Sequence, residues 1–385
     1  MRPLRLLMVA RRFWPLSGAA EKTAARLAVG LAGRQCRPTI LTARWHPRWP
    51  ERISWHELPV VRISPSPLGR WNTWRYARAV ARWLRRHQDE FDLVYVWGLQ
   101  DEAGAAVRAL GSRRPIVLRA DRAGRYGDCF RQIDSASGRR NKGLCPCARA
   151  VVAPTPTLRR ELEAAGYPRR RIHDIPLGVP ALSPRNAQTR AAARNLLGEA
   201  SAALRVAPWE QLVVSTVRVA AGRGWEHLVA AWPEVVRRRP GARLWLAGEA
   251  PDRAAAERQI ELLGLGRQIL LAGVFDELDM LLGAADLAVV PATEGSPVPL
   301  LEAMAAGLPA VATDVAGHRD LAADGREALL VPPADSAAMA AAVARLLEDS
   351  ELAGRLASAA QARAASDFSL ARMVEEHLAL FDSLT

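Results

Sequence analysis

Cysteine is scarce, with four residues in 385. That is too few for the disulfide framework that staples small secreted domains. Cys129, Cys145 and Cys147 raise the question of a metal, but a Cys-Pro-Cys pair with one distant partner lacks the two-pair spacing of a zinc site. No metal is expected. Long apolar runs are missing as well. None reaches the ~18 residues that a membrane-spanning helix needs, although 50% of the chain is hydrophobic. A short apolar stretch opens the sequence, but no small-residue cleavage site follows it, and Arg11, Arg12 and Trp14 come at once. A first buried strand is therefore expected there rather than a signal peptide, and with it a cytoplasmic chain. There is no tandem repeat of short period. Lysine is almost absent: Lys22 and Lys142 are the only two, so arginine carries nearly all the positive charge.

That charge is unevenly placed. Residues 1–189 hold 35 Lys+Arg against 14 Asp+Glu, a net +21, and the remainder holds 18 against 26, a net −8. The asymmetry, like the length, marks two bodies. The basic one suits an anionic partner, whether membrane lipid, nucleic acid or an acidic substrate, although a solvated basic surface has the same composition.

Along the chain, Leu4–Ala10 predicts a strand, Pro15–Glu21 a small-residue loop holding Gly18, residues 22–32 a helix, and Thr39–Thr42 a second strand. This βαβ opening implies a parallel sheet, and ligands approach such sheets at strand-to-helix loops. Residues 43–69, rich in Trp, Pro and Arg, read as irregular. Residues 70–88 predict an amphipathic helix with Trp71, Trp74, Ala77, Ala81 and Leu84 on one stripe and Arg75, Arg78, Arg82 and Arg85 on another. Strands follow at 92–97, 115–118 and 150–153. Residues 119–142, basic and Gly-rich, read as a loop region carrying Asp121 and Asp128. From residue 185 the alternation restarts. A strand at 211–217 leads into a loop with Arg218, Gly222, Arg223 and Gly224, and two further strands end at Gly248 and Gly273. The shared strand-loop-helix grammar predicts an α/β chain of two doubly wound, Rossmann-like domains facing a cleft, with boundaries at 1–184, 185–365 and a terminal helix over 366–385.

The most informative stretch is Ala292–Thr313. A buried strand feeds a Gly/Ser/Pro loop, a short helix follows, Gly307 stands where a C-terminal cap belongs, and a strand starts at Ala310. Two carboxylates, Glu294 in the loop and Glu302 in the helix, flank a helix N-terminus. Unpaired N–H groups and a positive dipole end suit a phosphate there, and the acids suit sugar or ribose hydroxyls.

This stretch resembles the retaining glycosyltransferases of family 4, which adopt the GT-B fold. Glu294-Gly-Ser-Pro-Val-Pro-Leu-Leu-Glu302 matches that family's two glutamates with seven residues between, and Arg218 with Arg223-Gly224 matches its Arg and Lys-Gly. Gly248, Gly273, the Ile175–Val179 segment and the helix over 368–381 also fall where the family has counterparts. The resemblance implies a nucleoside diphosphate sugar held by the second domain and an acceptor on the first, which would be a glycan or lipid-linked molecule. It implies Arg218 and Arg223 on the diphosphate, Glu302 on the ribose and Glu294 on the donor sugar. Gly295, Ser296, Pro297, Val298, Gly248 and Gly18 would line the donor, and no metal or other cofactor takes part. Retention would follow front-face attack rather than the two-carboxylate route of retaining glycosidases. The chain departs from the family pattern at Gly18-Ala19, where two glycines are common, at Arg223, where Lys is usual, and near Asp121, where many members carry His. Asp121 or Asp128 would then orient the acceptor hydroxyl, or only pair with nearby arginines.

Other readings belong to different classes. A nucleotide-sugar epimerase would share the architecture. A nucleic-acid-binding protein would account for the sequence pI of 10.8, but not for the acidic second half or the lack of an aromatic-basic stacking motif, so no nucleic-acid partner is expected. The Arg70–Gln88 helix fits an anionic membrane surface and a peripheral location, and it equally fits a helix packed on its own sheet with arginines in solvent.

Overall fold

The computed structural model describes residues 2–16, 18–125, 127–182, 185–275, 278–293 and 296–385. They form two compact units, Met1–Gly178 with Leu370–Thr385, and Val179–Ser369.

Unit 1 is built on a sheet of β1 (Leu4–Ala10), β2 (Cys36–Ala43), β3 (Arg52–Trp55), β4 (Leu58–Ile63), β5 (Leu93–Trp97), β6 (Ile116–Arg119), β7 (Ala150–Ala153) and β8 (Ile172–Asp174). The order is β3-β4-β2-β1-β5-β6-β7-β8, parallel except for β3 against β4. Helices cover both faces, so the central strands are apolar at successive positions. Leu7, Val9, Val94 and Val96 point to one core, and Leu6, Met8, Leu93 and Tyr95 to the other. The helix Leu370–Asp382 closes the second face with Met373, Val374, Leu380 and Phe381. Its buried His377 donates through Nδ1 to the Met373 carbonyl (2.7 Å), so Nε2 accepts from the Tyr95 hydroxyl (2.8 Å). Burial holds this imidazole neutral, pulling its pKa down to about 3.

Three expectations are corrected here. Residues 43–69 are not irregular throughout, because β3 and β4 form a hairpin through His56 and Glu57 (φ 46° and 64°). Residues 119–142 are not a loop throughout, because helices span Asp128–Asp134 and Ala136–Leu144, the second capped by the Ser135 hydroxyl. In the helix Gly69–Arg86 the buried stripe is Tyr76, Val80, Ala81 and Leu84. Trp71 and Trp74 are not on it. They are 67% and 41% exposed and stack on each other with ring centroids 5.1 Å apart.

Unit 2 carries β9 (Gln211–Ser215), β10 (Ala242–Ala247), β11 (Ile269–Gly273), β12 (Leu287–Val290), β13 (Ala310–Thr313) and β14 (Leu329–Val331). The order is β11-β10-β9-β12-β13-β14, and every pairing is parallel. Successive strands run one way from β9 to β11 and the other way from β12 to β14. The order therefore reverses between β9 and β12, the place where an open α/β sheet leaves a crevice at its carboxyl edge. In unit 1 the corresponding reversal lies between β1 and β5.

Candidate active site

The loops that leave β9, β10 and β12 meet at the carboxyl edge of the unit 2 sheet. Two glycines allow it. Gly224 (φ +85°) begins the helix Trp225–Arg238, and a Cβ there would lie 1.8 Å from the Pro291 carbonyl oxygen. Gly248 (φ +152°) ends β10, and a Cβ there would lie 2.5 Å from the Val217 carbonyl oxygen. Backbone thus approaches backbone where no side chain fits. Polar contacts tie the same loops together. The Thr293 hydroxyl donates to the Gly222 carbonyl (2.7 Å), Val219 N–H donates to the Glu249 carbonyl (2.9 Å), and the Ala221 N–H donates to the Asp252 carboxylate (2.7 Å).

Arg218 and Arg223 stand on the loop after β9. The Arg218 side chain is 47% exposed and pairs with Glu249 at 3.2 Å. Ser296 and Pro297 lead into the helix Val298–Ala305. The Ser296 hydroxyl accepts from the Val298 N–H (3.4 Å), and Val298 is buried. Glu302, one turn further, is buried at 5% exposure. Gly307 (φ +63°) ends this helix in the left-handed conformation. Glu294 and Gly295 lie outside the described residues. Among the described predicted residues, unit 2 thus holds Arg218, Arg223, Gly248, Ser296 and Pro297 on the loops after β9, β10 and β12, and Val298 and Glu302 on the helix that follows β12. Guanidinium groups and backbone N–H donors at such an edge can take a diphosphate, and a buried carboxylate beside them can take hydroxyl donors.

Gly18, Asp121 and Asp128 belong to unit 1. Gly18 precedes the helix Ala19–Ala32 with an extended backbone (φ −163°), so its conformation does not itself require glycine. Asp121 follows β6. One of its oxygens accepts from Trp97 Nε1 (3.2 Å) and faces Arg119 at 3.5 Å, while the other lies 3.8 Å from Arg122. Arg119 is buried with its guanidinium carbon 3.9 Å from the Trp97 ring centroid. Asp128 is turned inward. Its carboxylate accepts the backbone N–H groups of Asp121 (2.6 Å) and Arg122 (3.3 Å). Burial, and then the charge of Asp121, pushes its pKa up to about 6. Asp128 therefore folds the loop that carries Asp121, and only Asp121 keeps a partly open carboxylate.

Among the described residues, no group of three or more His, Cys, Asp or Glu side chains could hold a metal ion, and no helix is long and apolar enough to cross a membrane. Cys129 and Cys145 are buried thiols and Cys147 is an exposed one.

Comparison with known families places this geometry. Residues 20–181 match the description "Glycosyltransferase Family 4" and residues 210–349 match "Glycosyl transferases group 1". The chain belongs to glycosyltransferase family 4. Within the family it is 33% identical over 162 residues to the alpha-D-kanosaminyltransferase of Streptomyces kanamyceticus, a match covering 41% of this chain and 42% of that protein. It is 31% identical over 166 residues to the putative glycosyltransferase EpsD of Bacillus subtilis, covering 43% of each. The aligned region thus spans less than half the length of these curated relatives. The fold is that of Anabaena HepE, solved with UDP and glucose, at a TM-score of 0.78 and 22% identity over 99% of this chain and 100% of that one. Sequence reasoning did not single out Glu249 and Thr293, which contact the Arg218 side chain and the Gly222 carbonyl in unit 2, nor Arg119 and Trp97, which contact Asp121 in unit 1. Glu249, Thr293 and Trp97 reach partners far along the chain, which no local pattern announces.

Proposed function

We propose that the chain transfers a sugar from a nucleoside diphosphate sugar to a hydroxyl of a glycan or lipid-linked acceptor, retaining the anomeric configuration. The carrying observation is the convergence of the β9, β10 and β12 loops at the point where the unit 2 strand order reverses, with Arg218 and Arg223 on one of them. In this reading the two arginines meet the negative charge that grows on the departing diphosphate. Glu302 holds the ribose hydroxyls, and Gly248 with Ser296–Val298 brings backbone close to the donor. Glu294, assigned on its sequence pattern, holds the sugar near its anomeric carbon. A phosphate oxygen takes the proton of the attacking hydroxyl, so neither glutamate acts as a nucleophile. Asp121, oriented by Trp97 and Arg119, receives the acceptor hydroxyl, and Asp128 acts on the acceptor only by shaping that loop.

The test is a thermal-shift panel of UDP, GDP and ADP and their sugars, without added metal. HepE was solved with UDP, which makes UDP the first nucleotide to try. A ligand present at 100 times its Kd stabilises the native state by about 2.7 kcal/mol. For a unit of this size that is a rise of about 5–10 °C. A flat response to every nucleotide would remove the donor site.

A surface on unit 1 supports a membrane-facing location and a lipid-linked acceptor in cell-surface polysaccharide or glycolipid synthesis. The Trp71–Trp74 stack sits on a helix whose Arg75, Arg78, Arg82 and Arg85 are exposed, with Arg78 4.5 Å above the Trp74 ring. The helix Asp128–Asp134 likewise exposes Phe130 and Ile133. Indole rings suit the headgroup boundary, and each basic side chain near an anionic surface adds about 1 kcal/mol. Phosphatidylglycerol vesicles should sediment the protein and pure phosphatidylcholine vesicles should not. The double variant Trp71→Ala, Trp74→Ala should weaken the effect at least tenfold, the scale of losing about 1.4 kcal/mol. Sedimentation that ignores the anionic lipid counts against this surface.

A further inference from the structure

We infer that Thr313 and His318 are positioning residues for the donor site, acting through the segment Pro291–Thr293. The inference rests on the proposed function and names two residues with no assigned role there. The segment leaves β12 beside the reversal in strand order and leads directly toward the donor residues of the following loop and helix. It is gripped from both flanks. On the β9 side, Gly224 admits the Pro291 carbonyl and Gly222 accepts from the Thr293 hydroxyl at 2.7 Å. On the β13 side, the fully buried Thr313 donates its hydroxyl to the Ala292 carbonyl and lies 3.4 Å from that of Val290. His318, on the helix Ala316–Leu321, donates Nδ1–H to the Thr313 carbonyl at 2.7 Å and is itself buried. That bond fixes the imidazole tautomer and holds the backbone of Thr313 in place. The chain of bonds runs from His318 to Thr313 to Ala292.

Loss of a hydrogen bond of this kind changes an equilibrium constant about fivefold to tenfold. The Thr313 bond is the one side-chain anchor on this flank among the described residues that reaches the Ala292 carbonyl. Cutting it frees the segment to shift, which the donor site reads as lost affinity. A role confined to packing would instead lower the melting temperature of the nucleotide-free protein and leave the dissociation constant alone.

The experiment measures the Kd of UDP, GDP and ADP by calorimetry, with the melting temperature of the nucleotide-free protein alongside, for the wild type, Thr313→Val, Thr313→Ser and His318→Gln. For the nucleotide that the wild type binds best, Thr313→Val should raise Kd about fivefold to tenfold. Thr313→Ser, which keeps the hydroxyl, should stay within about twofold of the wild type. If Thr313→Val does not fold, His318→Gln carries the test, with an expected rise of about threefold to fivefold. Wild-type affinity in both Thr313→Val and His318→Gln overturns the inference while the donor site stands. A wild type that binds no nucleotide overturns the donor site, and this inference with it.

Discussion

Arg218→Ala is expected to lower kcat for sugar transfer by about 100-fold or more, or about 2.7 kcal/mol, which is the scale of removing one preorganised donor from a developing negative charge. Its effect on stability should be small. The Arg218 side chain is half exposed and its partner in the protein is Glu249 at 3.2 Å. Surface pairs of this kind contribute less than about 1 kcal/mol, so the melting temperature should move by no more than about 4 °C. The two magnitudes separate a chemical role from a structural one. Arg218→Lys keeps the charge but replaces the planar fork by a point charge, and should fall between the wild type and the alanine variant. Glu294→Ala should lose turnover to a similar degree. Steady-state rates with the sugar nucleotide found by the thermal-shift panel are the measurement. Near-normal turnover in both alanine variants would remove these residues from the site.

Gly224→Ala should be the most damaging single methyl in unit 2. A left-handed backbone costs a non-glycine residue about 1–2 kcal/mol, and forcing an extra group into a packed contact costs about 1–3 kcal/mol more. Here the obstacle is the Pro291 carbonyl, with its oxygen at 1.8 Å and its carbon at 2.7 Å from the new Cβ. Neither atom is the end of a flexible side chain, so the β9 and β12 loops must part. Gly222→Ala is the matched control. Gly222 is also left-handed (φ +71°), but nothing lies within 4 Å of a Cβ there, so only the first cost applies. Urea denaturation should therefore show a loss of about 2–5 kcal/mol for Gly224→Ala and about 1–2 kcal/mol for Gly222→Ala. Transfer activity should fall sharply in the first variant alone. Equal losses in the two would mean that the close approach to Pro291 is without consequence.

The elements that carry the candidate site of unit 2 are legible because they follow local sequence patterns. Strands buried on both faces read as apolar runs, Gly307 ends its helix as a cap, and the helix that carries Glu302 stands where its helix-forming residues place it. What escaped depends on geometry that propensity does not carry. The β3–β4 hairpin turns through His56 and Glu57 at positive φ, where Asn-Gly is the usual signal. The helices Asp128–Asp134 and Ala136–Leu144 show little apolar periodicity because they are short, and the second also carries Gly138 and Gly143 and starts from the Ser135 cap. Trp71 and Trp74 share a helical spacing with buried neighbours, yet they stack on each other in solvent. Periodicity reports which residues could share a face, not which face the sheet covers. The orientation of Asp128 was equally hidden. Its carboxylate serves two backbone N–H groups, a use that a residue type does not reveal.

The placement of the helix Leu370–Asp382 has a consequence for biogenesis. Residues 1–178 supply the unit 1 sheet, but Met373, Val374, His377 and Phe381 complete one of its cores. Synthesis at about 5–20 residues per second leaves at least about 10 s between the emergence of Gly178 and that of this helix. Throughout that interval the nascent unit 1 lacks the partners that His377 and Phe381 give Tyr95, while unit 2 is being made and can already fold. Of the two units, the one made earlier is thus the one finished later, and the window in which a chaperone would have to protect it is written into the order of the chain.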